Sequence, residues 1–251
     1  CMSDFHSDLC NRSDPRTPSN YNMAMNQNPA ESRVPESREG MLKITEIFHS
    51  LQGEALQAGL PTVFIRLTGC PLRCSYCDSE YAFYGGEWMH FDEILAEVRR
   101  FDTPYVCVTG GEPLAQKRCG QLLALLCDEG FEVSLETSGA VDIGLADRRV
   151  SRVMDLKTPD SGEMGKNLWS NLRELGEHDQ IKFVICSRKD YEWAGEQLRE
   201  KKLDSYCDVL FSPAWGQLEA RELAEWVLED RLPVRMQLQL HKLLWGDVPG
   251  K

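Results

Sequence analysis

The stretch "TVFIRLTGCPLRCSYCDS", residues 62–79, joins an apolar run to a loop that contains three cysteines. The apolar run at 62–69 predicts a buried strand, because near-continuous apolar residues are typical of strands covered on both faces. Cys70, Cys74 and Cys77 follow with the spacing C-x3-C-x2-C. Since thiolates bind zinc and iron–sulfur clusters, the loop is predicted to hold a metal centre at the carboxyl end of this strand.

The number of ligands separates two kinds of metal centre. A structural zinc site is closed by four protein ligands, and the nearest candidates for a fourth, His49 and His90, belong to no paired ligand motif. A four-iron cluster held by three thiolates would instead leave one iron open to a small molecule. The spacing alone leaves both interpretations open.

Composition limits the class of protein. The chain has 251 residues, 42% hydrophobic and 27% charged, and a net charge of −12, which disfavours nucleic acid and anionic membranes as partners. It has no apolar run of about 18 residues, and its first residues do not resemble a secretory signal. Cys107, Cys127 and Cys186 lie inside apolar runs, which is typical of buried thiols in a reducing compartment. We therefore expect a cytoplasmic protein.

Residues 1–40 differ from the rest of the chain. They are rich in Ser, Asn, Pro and Asp and have almost no aliphatic run, so we expect them to be a disordered extension. The composition changes abruptly at Met41, and our hypothesis is that Met41 is the biological start. Residues 41–251 are then expected to form one domain.

From residue 61 onward, short apolar runs alternate with amphipathic ones. The predicted strands cover residues 62–69, 105–110, 132–137, 151–157, 181–186, 208–213 and 234–240. The predicted helices cover residues 91–101, 119–130, 167–175, 190–203 and 219–230. Such alternation predicts an α/β fold with a mostly parallel sheet of about six to seven strands, either a partial, open βα barrel or a doubly wound sheet. In both folds, functional residues gather at the carboxyl ends of the strands.

A second motif follows the next predicted strand. "TGGEP" spans Thr109–Pro113, and its two glycines would let the backbone approach a ligand closely. Glu112 adds an anion that could pair with an ammonium group. A Gly-Gly pair most often forms only a tight loop. The pair in "TGGEP", however, is predicted to lie at the same edge of the sheet as the cysteine loop.

Together these motifs resemble the radical S-adenosylmethionine superfamily. The shared features are the cysteine loop after the first strand, the aromatic Tyr76 before its last cysteine, and "GGEP" after the next strand. The resemblance implies a partial βα barrel, a 4Fe-4S cluster on Cys70, Cys74 and Cys77, and S-adenosylmethionine on the open iron. It also implies formation of a 5′-deoxyadenosyl radical, with Gly111 and Glu112 at the methionine end of the cofactor.

Within the superfamily, the chain is most similar to the 7-carboxy-7-deazaguanine synthase family, over residues 42–251. The segments that carry the similarity are "IFHSLQGEA" (47–55), residues 59–83, "TGGEP", "ETSG" (136–139), "DLKTPDSGE" (155–163) and "MQLQLHKLLWGD" (236–247). The implied reaction belongs to queuosine biosynthesis. It contracts the ring of 6-carboxy-5,6,7,8-tetrahydropterin, a small-molecule pterin, to 7-carboxy-7-deazaguanine and releases ammonia.

The resemblance also implies roles for individual residues. The implied substrate contacts are Leu51, Gln52, Gly53, Arg66 and Thr109. The implied cofactor contacts are Tyr76, Cys77, Asp78, Gly111, Glu112, Asp155, Leu156 and Lys157. Ser79 matches a hydroxyl ligand of Mg²⁺, and no further catalytic residue is assigned.

Three of these positions have alternatives, or departures from the family pattern. Arg66 lies in an apolar strand, where a structural salt bridge would also satisfy it. Ser79 could be an ordinary turn residue. Asp155 stands where the family often has serine, which makes Lys157 the firmer assignment. Lys182 and Ser212 lie near predicted strand ends, and no role is assigned to them.

The resemblance also implies partners. They are a flavodoxin-like external electron donor and a second copy of the chain in a homodimer. Two rival functions remain at this point: a glycyl-radical activase of the same superfamily, and a zinc-stabilised binding module without catalysis. The chain has no additional ferredoxin-like cysteine cluster of the kind some activases carry.

Overall fold

The computed structural model describes residues 39–248 and residue 250. The extension predicted over residues 1–40 therefore lies outside the described residues, apart from Glu39 and Gly40. These two form a turn, and the Gly40 carbonyl accepts a hydrogen bond from the backbone N–H of Phe91. No helix within the described residues has both the length and the apolar character needed to cross a membrane.

The described residues contain nine β-strands and five α-helices. The strands are β1 (Met41–Leu51), β2 (Pro61–Leu67), β3 (Glu87–His90), β4 (Tyr105–Gly110), β5 (Glu132–Thr137), β6 (Ser151–Asp155), β7 (Gln180–Ile185), β8 (Asp208–Pro213) and β9 (Arg235–Met236). The helices are α1 (Phe91–Arg99), α2 (Cys119–Asp128), α3 (Arg188–Lys201), α4 (Ala220–Asp230) and α5 (Leu240–Trp245).

All nine strands form one open sheet in the order β3-β1-β2-β4-β5-β6-β7-β8-β9. β1 pairs antiparallel with both β2 and β3, whereas every pairing from β2 to β9 is parallel. The parallel part has seven strands, and β3 and β9 lie at the two edges. The prediction of a largely parallel, open α/β sheet is therefore confirmed.

The hydrophobic core lies between the sheet and its helices. Strands β2 and β7 are buried over nearly their whole length, as their continuous apolar runs predict. Helix α2 contributes Leu122, Leu123 and Leu126 to this core, and all three side chains are fully buried. The helices thus cover the sheet and leave the ends of its strands free to carry loops.

Two predicted elements were wrong, and three elements were not predicted. Residues 167–175 form no α-helix; instead 3-10 turns cover Trp169–Glu174, because the Asn171 amide donates to the carbonyls of Gly139 and Val141 and ties the segment to a loop. The strand predicted at 234–240 is reduced to the two residues of β9, and Leu240 already begins helix α5. Strands β1 and β3 and helix α5 were not among the predicted elements.

A buried ion pair joins β6 and β7 at their amino ends, opposite the end that carries the cysteine loop. Arg152 donates to Asp179 from Nε at 3.0 Å and from Nη2 at 2.6 Å. The Asp179 carboxylate also accepts the backbone N–H groups of Arg152 and Gly176. Both side chains are almost completely buried, so each charge depends on the other.

We expect Asp179→Ala to lower the free energy of unfolding by about 3–5 kcal/mol, because it leaves the Arg152 guanidinium buried without an anion. Urea unfolding of the cluster-free chain measures this. Asp128→Ala is the control, since Asp128 pairs with Arg149 in an exposed position and its loss should change stability by about 0–1 kcal/mol. Equal effects of the two changes would contradict the importance of burial.

Candidate active site

The carboxyl ends of the parallel strands surround one cavity of about 550 Å³. Its wall takes residues from the loops after β2, β4, β5, β6 and β8, and from helix α5. Because parallel strands end at the same edge of a sheet, residues far apart in sequence meet there. The cavity is the place where the sequence motifs come together.

The cysteine loop forms one wall of this cavity. Cys70, Cys74 and Cys77 are half-buried free thiols, and all three line the cavity. Arg73 braces the loop by donating from Nη1 to the carbonyls of Cys70 and Leu72, at 2.9 and 2.6 Å. Ser75 fixes the other half, since its N–H and its hydroxyl donate to carbonyls in the turn at Pro159–Ser161.

Two features of their surroundings act on the three thiols: partial burial and the positive charge of Lys157. Burial raises the pKa of all three thiols, that of Cys74 to about 11, while the Lys157 ammonium group opposes the rise. Burial would lower the pKa of Lys157, but Asp155 and the neighbouring thiolates outweigh it and raise that pKa. A permanently charged lysine beside three thiols favours their thiolate forms, which are the forms that bind metal.

The spread of the thiols suits a cluster better than one metal ion. Among the described residues, no group of three or more His, Cys, Asp or Glu side chains is placed to hold a single ion. Zinc would need sulfur atoms about 3.8 Å apart, which follows from its tetrahedral geometry and bond length. A four-iron cluster binds each thiolate to a different iron and therefore fits three cysteines that face one cavity.

The glycine turn packs directly against this loop. A Cβ on Gly111 would lie 2.5 Å from the Gly69 carbonyl oxygen and 2.6 Å from the Cys70 Cβ. Any larger residue would push the two loops apart. Gly111 therefore allows the two loops to pack closely, and it lines the cavity with Thr109. Its predicted contact with a ligand stays a prediction.

Glu112 makes several hydrogen bonds within the protein. Its side chain is fully buried, and its carboxylate accepts hydrogen bonds from Thr137, from Ser138 and from the Leu114 N–H. Thr137 and Ser138 line the cavity, whereas Glu112 does not. The carboxylate therefore holds the loop after β5 in place behind the cavity wall.

Buried charges from β6, β7 and the loop after β1 form another part of the cavity lining. Asp155 at the end of β6 lies between two lysines, with its Oδ2 3.0 Å from Lys157 Nζ and 3.7 Å from Lys182 Nζ. Lys182 also donates to Glu54 Oε2 at 2.8 Å. The two lysines and two carboxylates balance each other, which is what allows four charges to remain in a buried wall.

Three buried polar atoms around the cavity make no hydrogen bond within the described residues. They are the Tyr76 hydroxyl, the Asp155 Oδ1 and the Ser212 hydroxyl, and all three residues line the cavity. A buried polar group without a partner costs about 1–3 kcal/mol. Their presence around one cavity fits a polar ligand that would supply the missing bonds.

Arg66 and Ser79 lie near the cavity mouth. Arg66 donates from Nε to Glu46 at 2.7 Å, and its Nη1 lies 3.5 Å from the Ser79 hydroxyl. Burial would lower the pKa of Arg66, but Tyr81 and Glu46 raise it, so the guanidinium stays charged. The structural salt bridge considered from the sequence is therefore present, and the Nη2 edge makes no hydrogen bond with the described residues.

The C-terminal helix α5 completes the site. Lys242 on α5 lies 2.9 Å from Asp78 Oδ2, and this pair, with the Ser79 hydroxyl, outweighs burial and holds the Asp78 pKa well below its usual range. The Gly53 carbonyl accepts from the Leu240 N–H, and any Cβ on Gly53 would overlap His241. Burial lowers the pKa of His241, so this cavity-lining imidazole is neutral at neutral pH.

Most of the predicted site residues meet in this cavity. Those that line it are Leu51, Gln52, Arg66, Cys70, Cys74, Tyr76, Cys77, Asp78, Ser79, Thr109, Gly111, Asp155 and Lys157. Gly53, Glu112 and Leu156 do not line it, and their assignment as ligand contacts stays a prediction.

Sequence reasoning assigned no role to several other cavity residues. They are Glu54, Glu136, Thr137, Ser138, Lys182, Ser212, Gln239, His241 and Lys242. The motifs "LQGE" and "ETSG" contained the first four, and Lys182 and Ser212 were noted at strand ends. Gln239, His241 and Lys242 lie in the segment 236–247 that carries the family similarity, but no role was assigned to them, because only the chain's return to the cysteine loop brings them to the site.

The open parallel sheet, the three-thiol loop and the glycine turn define a radical SAM enzyme core. A sequence profile of the Radical SAM superfamily matches residues 64–161, which run from β2 past the end of β6. The family implies a 4Fe-4S cluster and S-adenosylmethionine, and the three thiols, the Gly111 cradle and the unpaired polar atoms fit both groups.

Similar proteins narrow the class further. The chain is 47% identical over 213 residues to the 7-carboxy-7-deazaguanine synthase of Chlorobaculum tepidum, which covers 84% of this chain and 97% of that protein. It is 44% identical over 219 residues to that of Koribacter versatilis, covering 81% and 97%. The crystal structure of QueE from Escherichia coli matches with a TM-score of 0.67 and 25% identity, over 80% of this chain and 95% of that one. The chain belongs to the 7-carboxy-7-deazaguanine synthase family.

We expect Lys242→Gln to raise the pKa of Asp78 toward its ordinary value of about 3.9, because Lys242 is the cation that lowers it. The carboxyl carbon resonance of Asp78, followed against pH, measures this in the cluster-free chain. The pair should stabilise the fold above about pH 4 and lose that effect as the pH falls further.

Lys189→Gln is the matched control, since Lys189 pairs with Asp160 instead. It should leave the Asp78 pKa unchanged. An Asp78 pKa that does not respond to Lys242→Gln would mean that the helix α5 contact is absent in solution.

Proposed function

We propose that the chain is a 7-carboxy-7-deazaguanine synthase, a carbon–nitrogen lyase of queuosine biosynthesis. It contracts the ring of 6-carboxy-5,6,7,8-tetrahydropterin and releases ammonia. The observation that carries the proposal is one cavity that joins the three-thiol loop to the Arg66 guanidinium, the Ser79 hydroxyl and several carboxylates, among them those of Asp78 and Glu136. This combination suits a radical reaction on a carboxylated, nitrogen-rich ring. A zinc-binding module would need no such cavity.

The cluster and S-adenosylmethionine supply, when bound, the radical chemistry that begins the reaction. In the proposal Cys70, Cys74 and Cys77 hold the cluster, and Lys157 keeps their surroundings electrostatically favourable. The unpaired oxygen of Asp155 and the Tyr76 hydroxyl offer hydrogen bonds to the cofactor. The family often has an uncharged serine at the position of Asp155. In this chain the negative charge of Asp155 is balanced by Lys157 and Lys182.

The substrate would be oriented by groups at the cavity mouth. The free Nη2 edge of Arg66 can bind the substrate carboxylate, since a guanidinium matches a carboxylate in shape and charge. Glu136 accepts one hydrogen bond from Thr109 and has lone pairs left for the N–H groups of a pterin ring. Gln52 offers both a donor and an acceptor beside them.

Mg²⁺ is part of the proposal, with the Ser79 hydroxyl as its protein ligand. Magnesium usually takes most of its ligands from water and substrate oxygens, so a single protein oxygen is compatible with its coordination. The ionised Asp78, hydrogen-bonded to Ser79 at 2.9 Å, would add a negative charge close to the ion. The ion would then orient the substrate carboxylate.

Helix α5 would keep the reacting groups in place and exclude water. His241 lines the cavity as a neutral imidazole, so it can donate or accept a hydrogen bond without adding charge. Positioning of this kind is how a protein supports a radical step that requires little proton transfer.

The proposal also includes partners and a compartment. We propose a homodimer in the cytoplasm that receives electrons from a flavodoxin-like protein and binds no nucleic acid. The net charge of −12 supports the last point, and the free state of the eight cysteines among the described residues supports a reducing compartment.

The deciding experiment reconstitutes the chain anaerobically and supplies S-adenosylmethionine, dithionite, Mg²⁺ and 6-carboxy-5,6,7,8-tetrahydropterin. We expect a brown protein with about four iron and four sulfide per chain, and formation of 7-carboxy-7-deazaguanine. Cys74→Ala should lose both the cluster and the product while the fold survives, and Cys127→Ala, which lies away from the cavity, should lose neither. A colourless protein with one zinc would disprove the proposal.

We expect Ser79→Ala to lower the turnover rate roughly tenfold or more at a fixed Mg²⁺ concentration, because the ion loses its protein ligand. The cluster absorbance should not change. Ser79→Thr keeps the oxygen and should restore activity. The measurement is the rate as a function of Mg²⁺ concentration, and an unchanged response in Ser79→Ala would remove Ser79 from the magnesium site.

A further inference from the structure

We propose that Asp190, on helix α3, is a positioning residue that holds the cysteine loop in the geometry that binds the cluster. Asp190 is fully buried and lies outside the cavity lining, so it acts on a ligand only through other residues. The residues that connect it to the cysteine loop are 158–163, called here the support segment. The inference rests on the proposed function, which places the cluster on Cys70, Cys74 and Cys77.

The support segment contacts the cysteine loop on both sides of Cys74. Before Cys74, the Arg73 N–H donates to the Glu163 carboxylate at 2.7 Å. After it, the Ser75 N–H donates to the Ser161 carbonyl at 3.0 Å, and the Ser75 hydroxyl donates to a second carbonyl of the support segment at 2.7 Å. Because hydrogen bonds hold the backbone of both neighbours, the position of the Cys74 thiol depends on the position of the support segment.

The Asp190 carboxylate attaches the support segment to the rest of the fold. Its Oδ1 accepts the Asp160 N–H at 2.9 Å, and its Oδ2 accepts the Thr158 hydroxyl at 3.0 Å. The Oδ2 atom also accepts the N–H of Cys186, the residue that follows β7, at 3.1 Å. One carboxylate therefore joins three parts of the chain: the support segment, the end of β7 and helix α3.

The start of helix α3 explains why this carboxylate reaches the support segment. Ser187 is the N-cap residue, and its hydroxyl accepts the Asp190 N–H. In a capping box, the side chain of the third helical residue would accept the N–H of the N-cap residue. Asp190 is that third residue, but it accepts the N–H groups of Cys186 and Asp160 instead. The helix dipole favours a carboxylate in the first turn, so the helix itself stabilises the group that holds the support segment.

A second attachment of the support segment to α3 is weaker, because it is exposed. The Asp160 side chain accepts hydrogen bonds from Ser187 and Lys189, and the Lys189 side chain is 69% exposed. Exposed ion pairs contribute little to stability, whereas hydrogen bonds to a buried carboxylate contribute more. Asp190 is therefore the main attachment, and its loss should let the support segment and the loop around Cys74 move.

The experiment uses the cluster-loaded chain under anaerobic conditions. Asp190→Asn keeps the volume of the side chain but replaces one accepting oxygen with an amide NH₂ group, which only donates. Asp179→Asn is the matched control, because Asp179 is also a fully buried carboxylate that accepts two backbone N–H groups, at the opposite end of the sheet. Ser75→Ala removes one hydrogen bond between the cysteine loop and the support segment, and since Ser75 is exposed, this change does not threaten folding.

Two quantities are measured, and neither depends on turnover. The first is the rate at which the cluster transfers iron to a chelator such as bipyridine. The second is amide hydrogen exchange, read by mass spectrometry, in the cysteine loop and in the glycine turn at 109–113. The glycine turn is an internal reference, because its Gly111 N–H donates to Leu67 and not to the support segment.

We expect Asp190→Asn to release iron about tenfold faster than the unaltered chain, because losing a group that orients metal ligands typically weakens metal binding by this much. Amide exchange should rise in the cysteine loop and not in the glycine turn. Ser75→Ala should release iron about threefold faster, since it removes only one of the contacts. Asp179→Asn should release iron within about twofold of the unaltered rate, although it lowers the free energy of unfolding.

A double variant tests whether Asp190 acts through the support segment. If it does, the Ser75 hydroxyl has little left to hold once the support segment moves. Asp190→Asn combined with Ser75→Ala should then release iron at about the rate of Asp190→Asn alone. Effects that multiply in full would show two independent routes and would overturn the inference.

Other results would also overturn it. These are iron release that is unchanged in Asp190→Asn, and an equal acceleration in Asp179→Asn, which would assign the effect to general stability. Should Asp190→Asn fail to fold, unchanged iron release in Ser75→Ala would count against the inference in the same way. A loaded, unaltered chain that forms no 7-carboxy-7-deazaguanine would instead contradict the proposed function, and the comparison of iron release would still stand.

Discussion

The parallel pairing of β2 with β4 is the constraint on which the site depends. Leu67 pairs with Gly110, and the chain beyond both strands continues the contact, because the N–H of Gly111 donates to the Leu67 carbonyl and that of Glu112 to the Gly69 carbonyl. The cysteine loop and the glycine turn are therefore held by backbone hydrogen bonds. Side-chain size enters at Gly110 and Gly111, where a Cβ would lie 2.5 Å from the carbonyl oxygens of Leu67 and Gly69 respectively.

The second constraint is the balance of buried charge around the cavity. Lys157 and Lys182 stay charged because Asp155 and Glu54 lie within ion-pair distance of them. Lys157 in turn opposes the rise in thiol pKa that burial of the cysteines causes. Removing Asp155 would therefore affect the cysteine loop in two ways, because its charge raises the pKa of Cys74 directly and because it is the ion-pair partner of Lys157.

The sequence predicted the parallel part of the sheet, and most of the site residues that it named line one cavity. Near-continuous apolar strands and glycine-bounded loops are local signals, and they located β2, β4, β5 and β8 to within one or two residues. Strand β1 was not predicted, because its burial is irregular along the strand and it lacks the apolar run that marked the other strands. The role of Glu112 was also beyond local reasoning, since its partners Thr137 and Ser138 lie about 25 residues away.

The C-terminal part of the site shows why the remainder needs tertiary structure. Asp78 directly follows the last cysteine, and its nearest cation is Lys242 on α5, about 160 residues later in the chain. The same helix sits against Gly53 through His241, so it touches the loop after β1 and the loop after β2 together. Neither contact has a pattern in the local sequence. Because Asp78 lies between Cys77 and Ser79, the position of α5 is linked to the residues that we propose to hold the cluster and Mg²⁺.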